Sequence, residues 1–292
     1  MTDKPTQAKP LWLRRPLPTG PRYGQIRSLI RETNLHTVCQ EAMCPNQFEC
    51  FAKGTATFMI LGDRCTRSCR FCAIGHGPQA PPDPEEPDRV AEAVRAMGLN
   101  FSVLTSVTRD DLADGGAAHF AATIRAIRQH NPQTLIEVLI PDFQGDLGAL
   151  ATVLDARPEV LNHNLETVAR LYPAVRPEAD YLRSLSVLRH SGRLAPSIVR
   201  KCGIMVGLGE TAAELAGLFT DLRQTGCDIL TIGQYLQPSR RHLPVIRFLA
   251  PDEFETLTNQ ALAAGFKAVA AAPFVRSSYQ AETLYRRVTP VT

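Results

Sequence analysis

The sequence predicts an α/β fold, a partial (βα)6 TIM-like barrel with an extension at each end. Three observations predict it. Short apolar runs alternate with longer stretches of helical periodicity, and strands that alternate with helices pair in parallel through right-handed crossovers. Six such units fit within residues 55–245, which makes an open barrel rather than a closed eight-unit one. Six of the eight cysteines also fall in two tight triplets, one before the first predicted strand and one directly after it. A doubly wound open sheet is the alternative architecture.

Residues 1–54 read as an irregular extension, broken by prolines at 5, 10, 16, 18, 21 and 45, with a helix over 22–33. Residues 55–61 (TATFMIL) read as a buried strand, rich in β-branched and large apolar residues. A loop bearing Gly, Arg and Ser follows with the second triplet, and a proline-rich break from Pro78 to Pro87 leads into a helix over 88–97. Strands at 101–107, 135–140, 160–165, 197–206 and 229–236 then alternate with helices at 114–130, 145–155, 178–191 and 211–225. Thr211 caps the last of these, with Glu214 at capping-box spacing. Residues 246–292 form the second extension, with a helix over 251–264 opened by Pro251 and a short strand over 268–275.

The chain has 292 residues, 44% of them hydrophobic, enough for a sizeable core. Barrels of this kind often run to ~200–250 residues as one unit. The net charge is +3, and the arginine pairs at 14–15, 240–241 and 286–287 are too scattered to call for nucleic acid. No stretch approaches the ~20 apolar residues of a membrane span. The start, MTDKPTQAKP, has neither a secretion-signal core nor a transit-peptide pattern, so a cytoplasmic location is expected. In a reducing compartment clustered thiols are ligands or catalysts rather than disulfides. The isolated Cys202 and Cys227 read as small buried hydrophobes.

Cys39, Cys44 and Cys50 are spaced CxxxxCxxxxxC; Cys65, Cys69 and Cys72 are spaced CxxxCxxC. Three soft thiolates suit an iron–sulfur cube, with one iron left open. The competing reading at the second triplet is a zinc knuckle with His76 as fourth ligand, since structural zinc takes four. In parallel βα architectures ligands gather at the C-terminal ends of the strands, where the second triplet falls.

The second triplet, with Phe71 directly before its last cysteine, resembles the CxxxCxφC signature of the radical S-adenosylmethionine superfamily. The stretches CQEAMCPNQFEC, TSVTRDDLADGG, NHNLET, GIMVGLGET, TIGQYLQPSRRHLPV and RSSY narrow the resemblance, over about residues 10–282, to the lipoyl synthase family. Departures are small: Thr108, Cys202 and Ala271–Pro273 stand where the family more often shows other residues, and none is a cluster ligand.

The resemblance implies two 4Fe–4S clusters and S-adenosylmethionine. Cys65, Cys69 and Cys72 would hold the cluster that cleaves S-adenosylmethionine. Cys39, Cys44 and Cys50 would hold an auxiliary cluster whose fourth ligand is Ser277 or Ser278. Adjacent strand residues point to opposite faces, so one of the two is expected to reach it, and Ser278 is the choice. Phe71, Ser106, Asn164 and Glu166 are the expected S-adenosylmethionine contacts.

The implied reaction inserts two sulfur atoms at C6 and C8 of an octanoyl group, with the auxiliary cluster as the sacrificed sulfur source. The implied partners are octanoylated lipoyl carrier domains or the glycine-cleavage H protein, a ferredoxin or flavodoxin reductant, and iron–sulfur carrier proteins. A biotin-synthase-like or methylthiotransferase-like enzyme and an iron–sulfur carrier are the alternatives. The pair Gly207 and Gly209 is expected to let a nucleoside approach the backbone. Asp110, Asp111 and Asp114 are a weak hard-metal candidate, and Arg240, Arg241 and His242 are expected at the mouth.

Overall fold

The computed structural model describes residues 9–14, 21–53 and 55–289. Helix α1 (Pro21–Glu32) comes first, and β1 (His36–Thr37), α2 (Val38–Glu41) and α3 (Gln47–Ala52) carry the first cysteine triplet. β2 (Thr57–Ile60) opens the barrel, and β3 (Arg64–Cys65) and β4 (Gly75–His76) make a small parallel ribbon around the second triplet. Then come α4 (Glu86–Met97), β5 (Phe101–Ser106), α5 (Ala117–His130), β6 (Leu135–Leu139), α6 (Leu147–Asp155), β7 (Val160–Asn162), α7 (Tyr172–Val175), α8 (Tyr181–Leu194), β8 (Val199–Val206), α9 (Ala212–Gln224) and β9 (Ile229–Gln234). α10 (Pro251–Ala263), β10 (Ala268–Ala272) and α11 (Ala281–Val288) come last.

One sheet runs in the order β1-β2-β5-β6-β7-β8-β9-β10. Every pairing from β2 to β10 is parallel, and β1 lies antiparallel on the edge. The six predicted barrel strands are present in order. The sheet also recruits β10 as a further parallel strand, where the sequence reading kept it as part of an extension. Helices start where side chains satisfy free amide donors. Thr211 Oγ1 accepts from Glu214 N at 3.3 Å, and Glu214 Oε2 accepts from Thr211 N at 2.8 Å, the expected capping box. Such caps contribute about 1 kcal/mol each.

Alternate strand residues face the barrel interior, which sorts the filling into layers. Phe101, Val160, Val199, Ile229 and Ala268, the first residues of their strands, form an apolar floor. α11 plugs it from below with Ala281 and Leu284. Burying a side chain such as Leu284 contributes roughly 1.5–3 kcal/mol. Above that floor the interior turns polar: Lys201 Nζ donates to both oxygens of Glu137 at 2.8 and 2.9 Å, and Asn162 Nδ2 donates to Glu137 Oε1 at 3.2 Å. Both members of the ion pair are sealed from solvent, at 0% and 1% exposed. Removing one partner of such a pair costs about 3–5 kcal/mol, because the other is left as an unpaired buried charge.

Two strands end three residues earlier than the sequence predicts, and both endings shape the site. β7 stops at Asn162 instead of residue 165. Beyond it the chain departs from regular strand, with Glu166 at φ +66°, yet Glu166 still bridges Ile204 of β8 in parallel. β10 stops at Ala272, so Ser277 and Ser278 lie in a turn and not on a strand. The face-alternation argument for choosing between the two serines therefore does not apply.

Candidate active site

A cavity of about 470 Å³ opens at the C-terminal ends of the strands. Cys39, Cys44, Cys65, Cys69, Cys72, Ser277 and Ser278 all line it, as do Phe71, Ser106, Asn164 and Glu166. Two cysteine triplets on either side of the first barrel strand and a tail over 220 residues later thus meet at one place, since Asn46 and Phe274 in contact are 228 residues apart. Cys50, which closes the first triplet, sits just behind that lining, half-buried against the main core.

The second triplet is held by backbone and by a buried arginine. Cys65 Sγ accepts from Arg67 N and Thr108 N, each at 3.4 Å. The Arg67 side chain, 4% exposed, spans from Asp110 (2.6 and 2.9 Å) to Asp142 (2.6 Å) and so ties this loop to the ends of β5 and β6. Burial works to raise the pKa of Asp142, but hydrogen bonds and charge from Arg67 overcome it and hold the carboxyl below its usual range. On the other flank His242 Nε2 lies 2.9 Å from the carbonyl oxygen of Cys72, and Leu243 N donates to Arg70 O at 3.1 Å. The segment after β9 is thereby strapped to the cysteine loop.

The first triplet rides on α2 and α3 and faces the tail. The tail lies against the strand ends at short range. Gln234 N donates to Pro273 O at 3.2 Å, and a Cβ on Gly233 would stand 2.0 Å from Val275 O. A Cβ on Gly203 would stand 2.9 Å from Ser277 Oγ. Glycine is required at both places for the approach of another segment, not for a special φ. Ser277 Oγ accepts from Asn164 Nδ2 at 2.6 Å. Ser278 Oγ has no hydrogen bond among the described residues, which leaves it the available hydroxyl.

The thiols fit metal-bound thiolates. Burial pushes Cys39 up to about 12, Cys50 to about 11 and Cys72 to about 12; it also raises Cys69, opposed by the Arg176 guanidinium. Thiolates in this dry wall need positive charge, which metal ions supply. Among the described residues no three His, Cys, Asp or Glu side chains converge to hold a single metal ion. A cube takes each thiolate on a different iron and suits spread ligands, whereas structural zinc needs four gathered at a point.

Three buried polar atoms on residues that line the cavity, Ser106 Oγ, His163 Nε2 and Arg176 Nε, have no hydrogen-bond partner among the described residues. Such atoms are uncommon in folded proteins, and a small shift toward a bound polar ligand would satisfy them. Arg176 is held in place by Asn164 O (2.8 Å), Leu165 O (3.2 Å) and Tyr172 OH (3.3 Å), and it stacks 5.4 Å over the Tyr172 ring. His163 donates from Nδ1 to Ile140 O at 2.9 Å, which makes Nε2 an acceptor in the neutral ring. Burial, helped by Arg176, pushes His163 down to about 4. Glu166 is raised by burial and opposed by Arg176. A buried cation, a neutral acceptor, a hydroxyl and a carboxyl group around one opening suit a zwitterionic nucleoside such as S-adenosylmethionine.

Sequence reasoning missed Arg176, which carries no motif signal beyond being a charge in the stretch YPAVRPEADY. It did not single out His163, which lies within the stretch NHNLET. Gly207 and Gly209 are absent from the cavity wall, and Gly207 is packed against Gln234 Nε2 and Arg247 O. Gly207 serves internal packing, and Gly209 a turn at φ +105°, with neither in the wall that a nucleoside would touch. The acidic run is already committed: Asp110 to Arg67, Asp111 to Arg109, and Asp114 to the amides of Gly116 and Ala118. Arg240 and Arg241 are exposed beside the strap, and Cys202 and Cys227 are fully buried.

Comparison with known proteins agrees with this geometry. The Radical SAM superfamily model matches residues 59–222, and the model for the N-terminal domain of lipoyl synthase matches residues 2–44. The chain is 63% identical to the lipoyl synthase of Desulfotalea psychrophila over 96% of this chain and 93% of that one. It is 55% identical to the lipoyl synthase of Thermus thermophilus, over 96% and 88%. Among solved structures, Streptococcus suis SuiB bound to S-adenosylmethionine superposes with a TM-score of 0.59 at 9% identity, over 78% of this chain and 54% of that one. Methylornithine synthase superposes with a TM-score of 0.53 at 13% identity, over 85% and 81%. These two show a shared fold. The partial barrel, the paired cysteine triplets at its mouth and identity above half along nearly the whole length agree, and the chain belongs to the lipoyl synthase family of the radical SAM superfamily.

Proposed function

We propose that this cavity is where two sulfur atoms enter C6 and C8 of an octanoyl chain, amide-linked to a lysine of a lipoyl carrier domain or of the glycine-cleavage H protein. The observation that carries the reading is that Cys39 and Cys44 of the first triplet, all three cysteines of the second and the tail serines open onto one space, with Cys50 just behind it. When bound, a 4Fe–4S cube on Cys65, Cys69 and Cys72 supplies the electron that turns S-adenosylmethionine into a carbon radical, and a second cube on Cys39, Cys44, Cys50 and Ser278 supplies sulfide.

The chain's own residues do the rest. Arg176 gives a fixed positive charge for the carboxylate of S-adenosylmethionine. Ser106, Asn164 and Glu166 give polar contacts to its ribose and amino end, and Phe71 borders the adenine. His163, held neutral, offers an acceptor and not a proton. C6 and C8 bear no acidifying group, so the site needs no general base. It needs dry walls that keep a carbon radical from quenching, and Met59, Leu139 and Ile140 provide them.

Residues 1–54 would carry the sulfur-donor cysteines, 55–245 the radical-forming barrel and 246–292 the serine. Exposed Arg240 and Arg241 beside the strap offer basic contacts for a carrier protein. A ferredoxin or flavodoxin would supply electrons, and an iron–sulfur carrier would replace what is consumed. No helix among the described residues is long and apolar enough to cross a membrane. One turnover with isotopically labelled sulfide in the auxiliary site tests the reading: label should appear in the lipoyl product, and unlabelled product would overturn it.

A further inference from the structure

A site whose contents are spent must survive being emptied. Here the first cysteine loop and the tail are joined by contacts made wholly of protein. Asn46, between Cys44 and Cys50 and 1% exposed, donates from Nδ2 to Phe274 O at 2.6 Å. Tyr279 OH donates to Glu49 Oε1 at 3.1 Å, next to Cys50. Phe274 and Tyr279 bracket the two serines, so the contacts grip the tail on both sides. They close sequence separations of 228 and 230 residues. Neither uses a cysteine sulfur or the Ser278 hydroxyl. Asn46 Oδ1 is buried without a donor among the described residues, so Asn46 is kept there at a desolvation cost that its bond to Phe274 must offset. The tail is also gripped by the barrel, through Gln234 N to Pro273 O, Asn164 Nδ2 to Ser277 Oγ and the close approach at Gly233.

We propose that Asn46 and Tyr279 are positioning residues that hold the first cysteine loop and the Ser277–Ser278 turn in register while the auxiliary site is empty, so that it is refilled in place after each turnover. This rests on the reading above that the group at this site is consumed for its sulfur. A chain lacking the clamp still holds a cluster once loaded, because the cluster itself then joins the two halves. The defect appears whenever the empty site is filled, at first loading and again after turnover, and not in the chemistry of a fully loaded chain.

The test uses the full chain with Tyr279→Phe, which removes one hydroxyl and keeps the ring, and with Asn46→Ala. Each is loaded anaerobically, given octanoylated carrier and reductant for one round, then offered ferrous iron and sulfide for a second. First-round product should match the parent chain. Refilling should slow by ~10-fold in Tyr279→Phe, which loses a hydrogen bond to a carboxylate, and by a comparable or smaller factor in Asn46→Ala, which loses a neutral one. Amide exchange across residues 273–280 of the chelator-treated chain should quicken in both variants. Refilling and exchange at parental rates would overturn the proposal. So would an equal loss in the first round, which marks an ordinary structural anchor. If Asn46→Ala fails to fold, Tyr279→Phe decides alone. If the sulfide label shows that the group is not consumed, the functional reading fails, while the exchange measurement still reports whether the clamp holds the empty site.

Discussion

Asn164 Nδ2 donates to Ser277 Oγ at 2.6 Å, and its Oδ1 accepts from Gly203 N at 3.0 Å. One side chain at the end of a barrel strand thus fixes the tail that reaches toward the first cysteine loop. It also touches Glu166 at 2.9 Å, on the side facing Arg176. The two halves of the cavity share a wall residue, and this links the predictions that follow.

Because Ser277 is engaged by Asn164 and Ser278 is not, the two serines should differ on substitution. Ser278→Ala should lower sulfur insertion by more than the ~10–100-fold typical of losing a group that only orients a metal ligand, and Ser277→Ala should stay within that range. Cleavage of S-adenosylmethionine should persist in both. Iron per chain and lipoyl product, measured side by side, check this.

Arg176→Gln removes a buried cation of the cavity wall, the one assigned here to the carboxylate. A hydrogen bond to a charged group is worth about 1.5–3 kcal/mol, so affinity for S-adenosylmethionine should fall ~10–100-fold. Loading of the first cysteine triplet should not change. Equilibrium binding to the loaded chain, with iron analysis, separates the two effects.

Gly233→Ala forces a Cβ into Val275 O, a backbone atom that cannot swing away. Overpacking of this kind costs roughly 1–3 kcal/mol, a shift of several degrees in Tm. The tail should lift from the sheet, and sulfur insertion should fall more than S-adenosylmethionine cleavage. Calorimetry and paired activity assays check the stability and the split.

His163 sets a pH dependence. Its folded pKa is pushed down to about 4 from an ordinary 6.5. Between those values the unfolded chain binds the extra proton, so stability from this group is full above pH 6.5 and is lost as pH falls toward 4. His163→Gln should flatten that part of the slope in denaturant titrations of the metal-free chain.

The barrel was legible because its signals are local. The alternation of apolar strands and periodic helices repeats every unit, and both triplets are short-range spacings. What was not legible depends on distant segments meeting. Arg176 has no motif of its own, and only the fold turns its side chain toward Glu166 and Cys69. Gly233 and Gly203 look like ordinary strand glycines until the tail lies across them. Strand alternation was the wrong guide to Ser277 and Ser278, since β10 ends at Ala272 and the turn beyond brings both hydroxyls to the cavity. The irregular stretch after β7 was hidden because a left-handed residue such as Glu166 leaves no composition signal.

The most direct test counts iron and acid-labile sulfide in anaerobically loaded wild type beside a Cys39→Ala, Cys44→Ala, Cys50→Ala variant. Two cubes predict about eight irons per wild-type chain and about four in the variant. The variant should still cleave S-adenosylmethionine and should insert no sulfur. About four irons in the wild type, or zinc at either triplet, would contradict the account.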